Sequence, residues 1–160
     1  NDTRHQGVEI GLAGPFAKNA LSQGDKLDWT LAYTFGRFRF DNDTVYGNAA
    51  IPGIPEEYVR AKLDYTHPTG WTVSPNLEYV PQGYFVDLRN TFASDPYLLV
   101  GLSASYKASE TLRFFIDGRN LTDKTYAATT SVTVNANGAD SAQFSPGEGR
   151  SVFAGVEVKW

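Results

Sequence analysis

Val152-Phe153-Ala154-Gly155-Val156-Glu157-Val158-Lys159-Trp160 closes the chain, and its period is two. Even positions are apolar throughout; odd positions include Glu157 and Lys159. In an extended strand, successive side chains point to opposite faces. This stretch therefore makes one greasy face and one mixed, partly charged face. A helix would scatter the same residues around its circumference.

Six stretches upstream split the same way. Leu112, Phe114, Ile116 and Gly118 alternate with Arg113, Phe115, Asp117 and Arg119; Leu98, Val100, Leu102, Ala104 and Tyr106 alternate with Leu99, Gly101, Ser103, Ser105 and Lys107. Trp71 to Tyr79, Val59 to Tyr65 and Leu27 to Phe35 repeat the pattern, and a shorter first strand sets Val8, Ile10 and Leu12 against Glu9, Gly11 and Ala13. Seven strands result. Most approach the roughly 9–11 residues that cross a bilayer at about 45° of tilt, against about 5–6 for strands of soluble domains. The expected fold is all-β: an antiparallel transmembrane β-barrel meander.

Connections alternate between short (Thr66–Gly70, Lys107–Glu110, and the somewhat longer Pro15–Asp25) and long (Asp41–Pro55, Gln82–Pro96, Thr130–Glu148). Outer-membrane barrels keep short turns at the periplasmic side and long loops outside, which puts the C-terminus in the periplasm. Trp29, Tyr65, Trp71, Tyr106 and Trp160 gather near the short-turn side on the apolar face, as an aromatic girdle does. Tyr58, Tyr79, Tyr97 and Phe35 fall near the long-loop ends and are candidates for the other girdle. The Arg37-Phe38-Arg39-Phe40 run shifts apolar residues from odd to even positions. That marks either a bulge or a strand that has left the membrane.

Composition narrows the function. Only 20% of residues are charged while 14% are aromatic, the net charge is -4, and no cysteine is present. No basic stripe for nucleic acid stands out, and neither a disulfide framework nor a thiolate metal site is available. No run of 18 apolar residues exists, so no membrane helix is expected. Seven is an odd count, and a barrel in lipid must close. The chain opens Asn1-Asp2-Thr3, and further strands are expected upstream.

Asn120-Leu121-Thr122-Asp123-Lys124-Thr125-Tyr126 resembles the "NLTD-x-x-Y" segment on the penultimate strand of TonB-dependent receptors, and Phe144-Ser145-Pro146-Gly147-Glu148-Gly149-Arg150-Ser151 resembles the "PG-x-GR-[ST]" entry to their last strand. Gly155 and Trp160 match the "G-x-x-x-x-aromatic" ending, although phenylalanine is commoner at the last position. Ile51-Pro52-Gly53-Ile54-Pro55 and Pro81 to Thr91, ending Asn90-Thr91, resemble a loop exit and a "y-x-d-x-x-N-T" segment of the family. The resemblance covers about residues 7–160. It implies that residues 1–160 are the C-terminal segment of a barrel of about 22 strands, with the plug and the upstream strands absent from the chain. Its further implications are a bacterial outer-membrane location and uptake of a scarce nutrient chelate, a ferric siderophore first. The implied partners are membrane lipid and lipopolysaccharide, the plug and upstream strands, TonB through the N-terminal part, and a small-molecule chelate. A small autonomous barrel with a structural or adhesin-like role, or a receptor of this family for haem, cobalamin or another cofactor, stays open at this point.

No catalytic constellation emerges, and the chain is not expected to be an enzyme or to carry a cofactor. His5 and His67 fall on opposite sides of the expected membrane. Asp41-Asn42-Asp43 lacks the spacing and final carboxylate of a calcium loop. Glu9, Asp28, Asp64, Glu78, Asp117 and Glu157 face the same side as Arg60, Lys62, Arg113, Arg119 and Lys159, which reads as a lattice of ion pairs on a wet wall. Substrate contact is expected from Arg37, Arg39, Tyr84 and Arg89 at the outer ends, where arginine and tyrosine suit an anionic, aromatic chelate. Arg150 lies at another loop base, and the alternative role for such arginines is to fix loops or bind lipopolysaccharide phosphates. The Asn120–Tyr126 segment is expected to be structural, near the middle of a wall strand.

Trp160 matches the terminal aromatic by which unfolded barrels are recognised for assembly. Its deletion is expected to lower the amount of assembled protein in the membrane fraction, with ligand affinity of the assembled part unchanged. Normal assembly of the deletion variant would remove that role.

Overall fold

A computed structural model describes residues 2–160; Asn1 lies outside the described residues. Nine strands form among them: β1 (Thr3–Lys18), β2 (Lys26–Phe40), β3 (Glu57–Thr66), β4 (Trp71–Val80), β5 (Tyr97–Lys107), β6 (Leu112–Arg119), β7 (Ala127–Thr130), β8 (Phe144–Pro146) and β9 (Ser151–Val158). Seven of them make one antiparallel sheet in the order β1-β2-β3-β4-β5-β6-β9, and β7-β8 is a small separate hairpin inserted between β6 and β9. A meander of this kind needs only hairpin connections, so every strand of the sheet reverses direction.

The register fixes the two faces. Trp29 opposes Leu63, Ala61 opposes Leu77, Leu77 opposes Val100, Ala104 opposes Ile116 and Phe114 opposes Val156. On the other face Thr30 opposes Lys62, Arg60 opposes Glu78, Ser103 opposes Asp117 and Arg113 opposes Glu157. The alternation read from sequence thus survives pairing across all seven strands. The apolar face is bare: Val8, Leu63, Leu102, Ile116 and Val156 are all exposed. A contiguous apolar surface of this extent demands an apolar partner.

Three features depart from the sequence expectation. First, β1 is long, running from Thr3 past Leu12 to Lys18, and it stays paired with β2 to its end, with one bulge between Pro15 and Ala17. Second, no bulge accompanies the Arg37–Phe40 run: pairing is continuous from Thr3↔Phe40 to Pro15↔Asp28. β2 simply extends outward, and its residue types change along one unbroken face. Third, Tyr58 and Tyr97 turn to the polar face, where the Tyr58 hydroxyl accepts from Arg60 and the Tyr97 hydroxyl donates to Glu78. Tyr33, Phe35 and Tyr79 hold the outer end of the apolar face instead.

Pro75 accounts for a gap in the β3–β4 ladder. It has no N–H to donate, and the register passes from Lys62↔Asn76 to Tyr65↔Val73 without pairing the residues between. The Ser74 hydroxyl spans the gap to the Asp64 carboxylate. At the far end of the sheet, Gly155 lies under the Phe115 ring, which occupies the space of a side chain.

With the apolar face against lipid, Leu63→Arg in the intact barrel is expected to cost about 2–4 kcal/mol, and Ser103→Arg much less. Denaturant unfolding in phospholipid vesicles measures both. Equal losses would sink the assignment of faces.

Candidate functional site

The short connections, 19–25, 67–70 and 108–111, lie at one end of the sheet; the long ones, 41–56, 81–96 and 120–150, lie at the other. The long loops are not independent. Gly53 N–H donates to Phe85 O, Leu88 N–H to Thr133 O, and Thr133 N–H to Val86 O. Asn90, in the left-handed region at φ 55°, ties the 81–96 loop to the 41–56 loop: its amide oxygen accepts from Ala50 N–H and its amide nitrogen donates to Ala50 O.

Asp87 is the hub. It is fully buried, and its carboxylate accepts from the Thr91 N–H at 2.9 Å, the Phe92 N–H at 3.1 Å and the Thr91 hydroxyl at 2.9 Å. Burial alone would raise its pKa. The Phe92 amide, the Thr91 hydroxyl and the Ala136 and Thr91 amides outweigh that and hold it below its ordinary value. Among the described residues, the buried hydrophobic side chains are Val80, Tyr84, Val86 and Ala136. All four belong to, or lead into, this cap of loops. In the sequence the Asp87-x-x-Asn90-Thr91 pattern stands out as a family mark; physically, Asp87 supplies the carboxylate that gathers the amides four and five residues on, Thr91 adds a hydroxyl donor, and Asn90 tolerates the left-handed φ.

The four expected contact residues separate. Arg39 and Tyr84 line one cleft of about 250 Å³, together with Phe38, Ile51, Glu56 and Phe85. Arg39 donates to Glu56 at 3.1 Å, and Tyr84 is held by the Ser94 hydroxyl at its N–H. Arg37 is exposed and lines a different groove, of about 380 Å³, with Arg4, Gln6 and Arg39. Arg89 is exposed on the 81–96 loop and lines neither.

The stretches Asn120–Tyr126 and Phe144–Ser151 form one lock. Asn120 is buried, at φ 45°, and ends β6 rather than continuing it; the expected position near the middle of a wall strand is corrected accordingly. Its amide oxygen accepts from Lys124 N–H, and its amide nitrogen donates to Lys124 O and Glu148 O. Asp123 accepts from Arg150 N–H at 3.0 Å, and Gly147 N–H donates to Tyr126 O. A Cβ at Gly147 would meet the Tyr126 ring, so only glycine lets the two segments close. Leu121, Thr122, Pro146 and Gly149 complete the segments around these bonds, and the ring of Tyr126 stacks on Tyr97 at 4.8 Å. The structural role expected for the segment fits this geometry.

The polar face carries most of the anticipated lattice: Arg60–Glu78 at 3.5 Å, Lys62–Asp64 at 2.7 Å, Arg113–Glu157 at 3.6 Å, Arg119–Asp117 at 2.7 Å and Lys159–Glu157 at 3.6 Å, while Glu9 and Asp28 enter no ion pair among the described residues. His5 and His67 sit at opposite ends of the sheet. Among the described residues no group of His, Asp and Glu side chains converges as a metal site would.

The family model described as TonB dependent receptor-like, beta-barrel matches residues 1–121. Most of the Asn120–Tyr126 and Phe144–Ser151 lock thus lies beyond the matched stretch. No curated protein matches the chain. Among solved structures, the siderophore receptor PiuA from Acinetobacter baumannii superposes with a TM-score of 0.78 at 19% identity, over 99% of this chain and 22% of that one. The copper transporter OprC gives 0.66 at 24% identity over 98% and 23%, and the ferric-catecholate import receptor Fiu from K12 E. coli gives 0.65 at 15% over 98% and 25%. The chain spans about a quarter of the length of these proteins, and at such identities the likeness is one of fold.

The Asp87 hub sets a pH dependence. Its carboxyl is held below the ordinary value near 3.8, so its stabilisation is complete above that value and is lost as pH falls through the folded pKa. Amide-exchange protection of Thr91 and Phe92 is expected to be constant from neutral pH to about pH 4 and to fall below it. Asp87→Ala strands three donors and is expected to loosen the segment by about 1–3 kcal/mol at neutral pH. Undiminished protection in that variant would show that the carboxylate does not hold the cap.

Proposed function

Because this chain belongs to the TonB dependent receptor-like β-barrel family, we propose that it is the C-terminal wall of a bacterial outer-membrane receptor that imports a scarce nutrient chelate, a ferric siderophore foremost. The observation that carries this reading is the sheet itself. Its apolar face is exposed from one end to the other, its opposite face is polar and ion-paired, and all its long loops meet in one cap. A wall of that kind is built to stand between lipid and a wet lumen. Among the described residues the outer edges of β1 and β9 have no partner in the sheet, and a barrel in lipid has no free edge. Upstream strands, to a total of about 22 around a plugged lumen, supply the closure. The plug and the TonB contact belong to that remaining part.

Substrate meets the cap first. Tyr84 with Arg39, and Arg89 on the neighbouring loop surface, are the proposed contacts from this segment. At about 250 Å³ the Arg39–Tyr84 cleft is smaller than the roughly 300–1,000 Å³ of a complete small-molecule pocket. It serves as one side of a vestibule whose other side comes from the rest of the barrel. A siderophore is favoured because arginine forks and a tyrosine ring suit an anionic, aromatic chelate, and because two of the structurally similar proteins are a siderophore receptor and a ferric-catecholate import receptor.

Cells expressing the intact gene are expected to take up ferric catecholate or another chelate only when TonB is present. Tyr84→Ala with Arg89→Ala should weaken binding by about 1–3 kcal/mol if either makes a charge-assisted bond. Uptake unchanged without TonB would point to a passive barrel.

A further inference from the structure

One edge of the third long loop carries backbone groups that the cap does not use. Thr129-Thr130-Ser131-Val132-Thr133-Val134 is β-branched at every position but Ser131, and no charged residue occurs between Lys124 and Asp140. β-Branched residues favour extended backbone. The segment is extended accordingly: β7 pairs with β8, the Ser131 N–H carries the pairing on to Gln143 O, and Thr133 forms a parallel bridge with Asp87. The Thr133 N–H donates to Val86 O, and its carbonyl accepts from Leu88 N–H. β8 and loop 81–96 thus occupy one edge of residues 129–134 in turn.

The opposite edge is bare. In an extended chain the N–H and C=O groups of successive residues point to opposite edges. Those of Val132 and Val134 therefore point away from loop 81–96, and among the described residues none of them has a hydrogen-bond partner. Both residues are exposed. Natural sheets blunt such an edge with lysine, proline or a bulge. Here no proline or charge lies within residues 129–134, and the bulge of the β7–β8 pair, between Ala127 and Thr129, comes before them. The edge also adjoins the candidate site. A Cβ at Gly53 would lie 3.2 Å from Val132 Cγ2, and Gly53 stands between Ile51 and Ile54, which line the Arg39–Tyr84 cleft.

We propose that the solute taken at the Arg39–Tyr84 cleft carries a peptide backbone, whose extended amides pair with the open edge at Val132 and Val134 as an added strand. This deepens the receptor reading above and rests on it. The two residues stand about 7 Å apart along an extended chain, so a peptide of a few residues satisfies the edge. The anionic chelating part stays with Arg39 and Tyr84. A peptide is favoured over an aliphatic or sugar chain because the groups left open are backbone donors and acceptors in alternation, and another extended amide backbone is their complement. Thr133 already holds the segment from behind, so little ordering has to accompany the pairing.

The test titrates the intact receptor with the ferric complex of a linear tris-catechol built on a hexapeptide. Two further complexes are N-methylated at the odd or at the even backbone amides, which keeps iron, charge and catechols but removes donors from one edge of the peptide. A strand pairs through one edge only. One N-methylated complex should therefore bind about tenfold more weakly than the parent, and the other within about threefold of it. Val132→Pro/Val134→Pro removes two N–H groups that have no partner to lose, in backbone that proline tolerates at an edge. It should weaken the parent complex about tenfold and erase the difference between the N-methylated pair. Val132→Ala/Val134→Ala keeps both N–H groups and should stay within about threefold of the unaltered protein. Equal binding of the two N-methylated complexes to the unaltered receptor overturns the proposal, as does a proline variant that binds the parent complex unchanged. A ferric tris-catechol on an amide-free scaffold that binds as tightly as the peptide complex, and is taken up only with TonB, overturns this proposal and leaves the receptor reading standing. A dimer of the unaltered receptor that the proline pair dissolves would assign the edge to a second copy and overturn the proposal too. Absence of both binding and TonB-dependent uptake for every ferric complex overturns the receptor reading, and this proposal with it.

Discussion

Lateral hydrogen bonding between strands is the interaction on which everything else in this chain depends. Among the described residues the sheet has no packed core. Its apolar face is exposed, its polar face is a single layer of side chains, and the buried hydrophobic residues belong to the loop cap or lead into it. What holds seven strands in register is the backbone ladder together with cross-strand pairs, each worth only tenths of a kcal/mol to about 1 kcal/mol. A soluble protein built this way would expose its greasy face to water at prohibitive cost. The same ladder becomes the stable choice in lipid, where an unpaired amide has no water to turn to.

That constraint explains where the polar side chains can be used. Ion pairs on the polar face, such as Lys62–Asp64 and Arg113–Glu157, are partly exposed. Pairs of that exposure contribute little net stability, with a median near 0–1 kcal/mol. Their value is in leaving few lone charges along a wet wall. Specificity in the polar interactions is kept for the places where the ladder stops. Asp87 and Asn90 fasten the loops, and Asn120 with Asp123 fastens the break after β6. In both places short polar side chains replace strand pairing, bond for bond, with backbone groups that would otherwise be buried without partners.

Most of the wall was legible because period two survives any exchange of one apolar residue for another. The faces of Leu31, Leu63, Val100 and Val156, the lattice on the polar side and the alternation of short and long connections all follow from it. What escaped was set by non-local contacts. The length of β1 depends on its pairing with β2, because its outer part, Thr3 to Gly7, has no apolar alternation of its own. The Arg37–Phe40 run mimics a slipped register because Phe38 and Phe40 are aromatic on the polar face; Phe38 packs edge-on against His5 and covers Gly36. Tyr58 and Tyr97 escape for a related reason. A tyrosine near a membrane boundary satisfies either face, and only the positions of Arg60 and Glu78 decide which. For the candidate site, residue types and the outer end were legible, but the grouping was not. Loop 41–56 is held to loop 81–96 by its own backbone groups, Ala50 N–H and C=O on the Asn90 amide and Gly53 N–H on Phe85 O, so its side-chain pattern carries no mark of the contact.

The order of the loop cap bears directly on recognition. A loop free to move presents its side chains in many arrangements, and a ligand must offset the entropy of fixing them. Here Val86 and Asp87 are fully buried, and Asn90 ties their loop to Ala50 on the preceding one. Thr133 adds the third long loop through two backbone bonds. Tyr84 is itself a buried part of this ordered scaffold at the edge of its cleft, while Arg89, next to the Asn90 clamp, lies exposed at its rim. Rigid support under an exposed polar rim is the arrangement that lets a surface recognise a large solute without folding around it. The same rigidity limits motion on this side of the barrel: opening a path for cargo would break the Asp87 hub and the Asn90 clamp together. In the receptor proposed above, movement that admits a solute would therefore cost less elsewhere, with this segment as the fixed wall against which another part gives way.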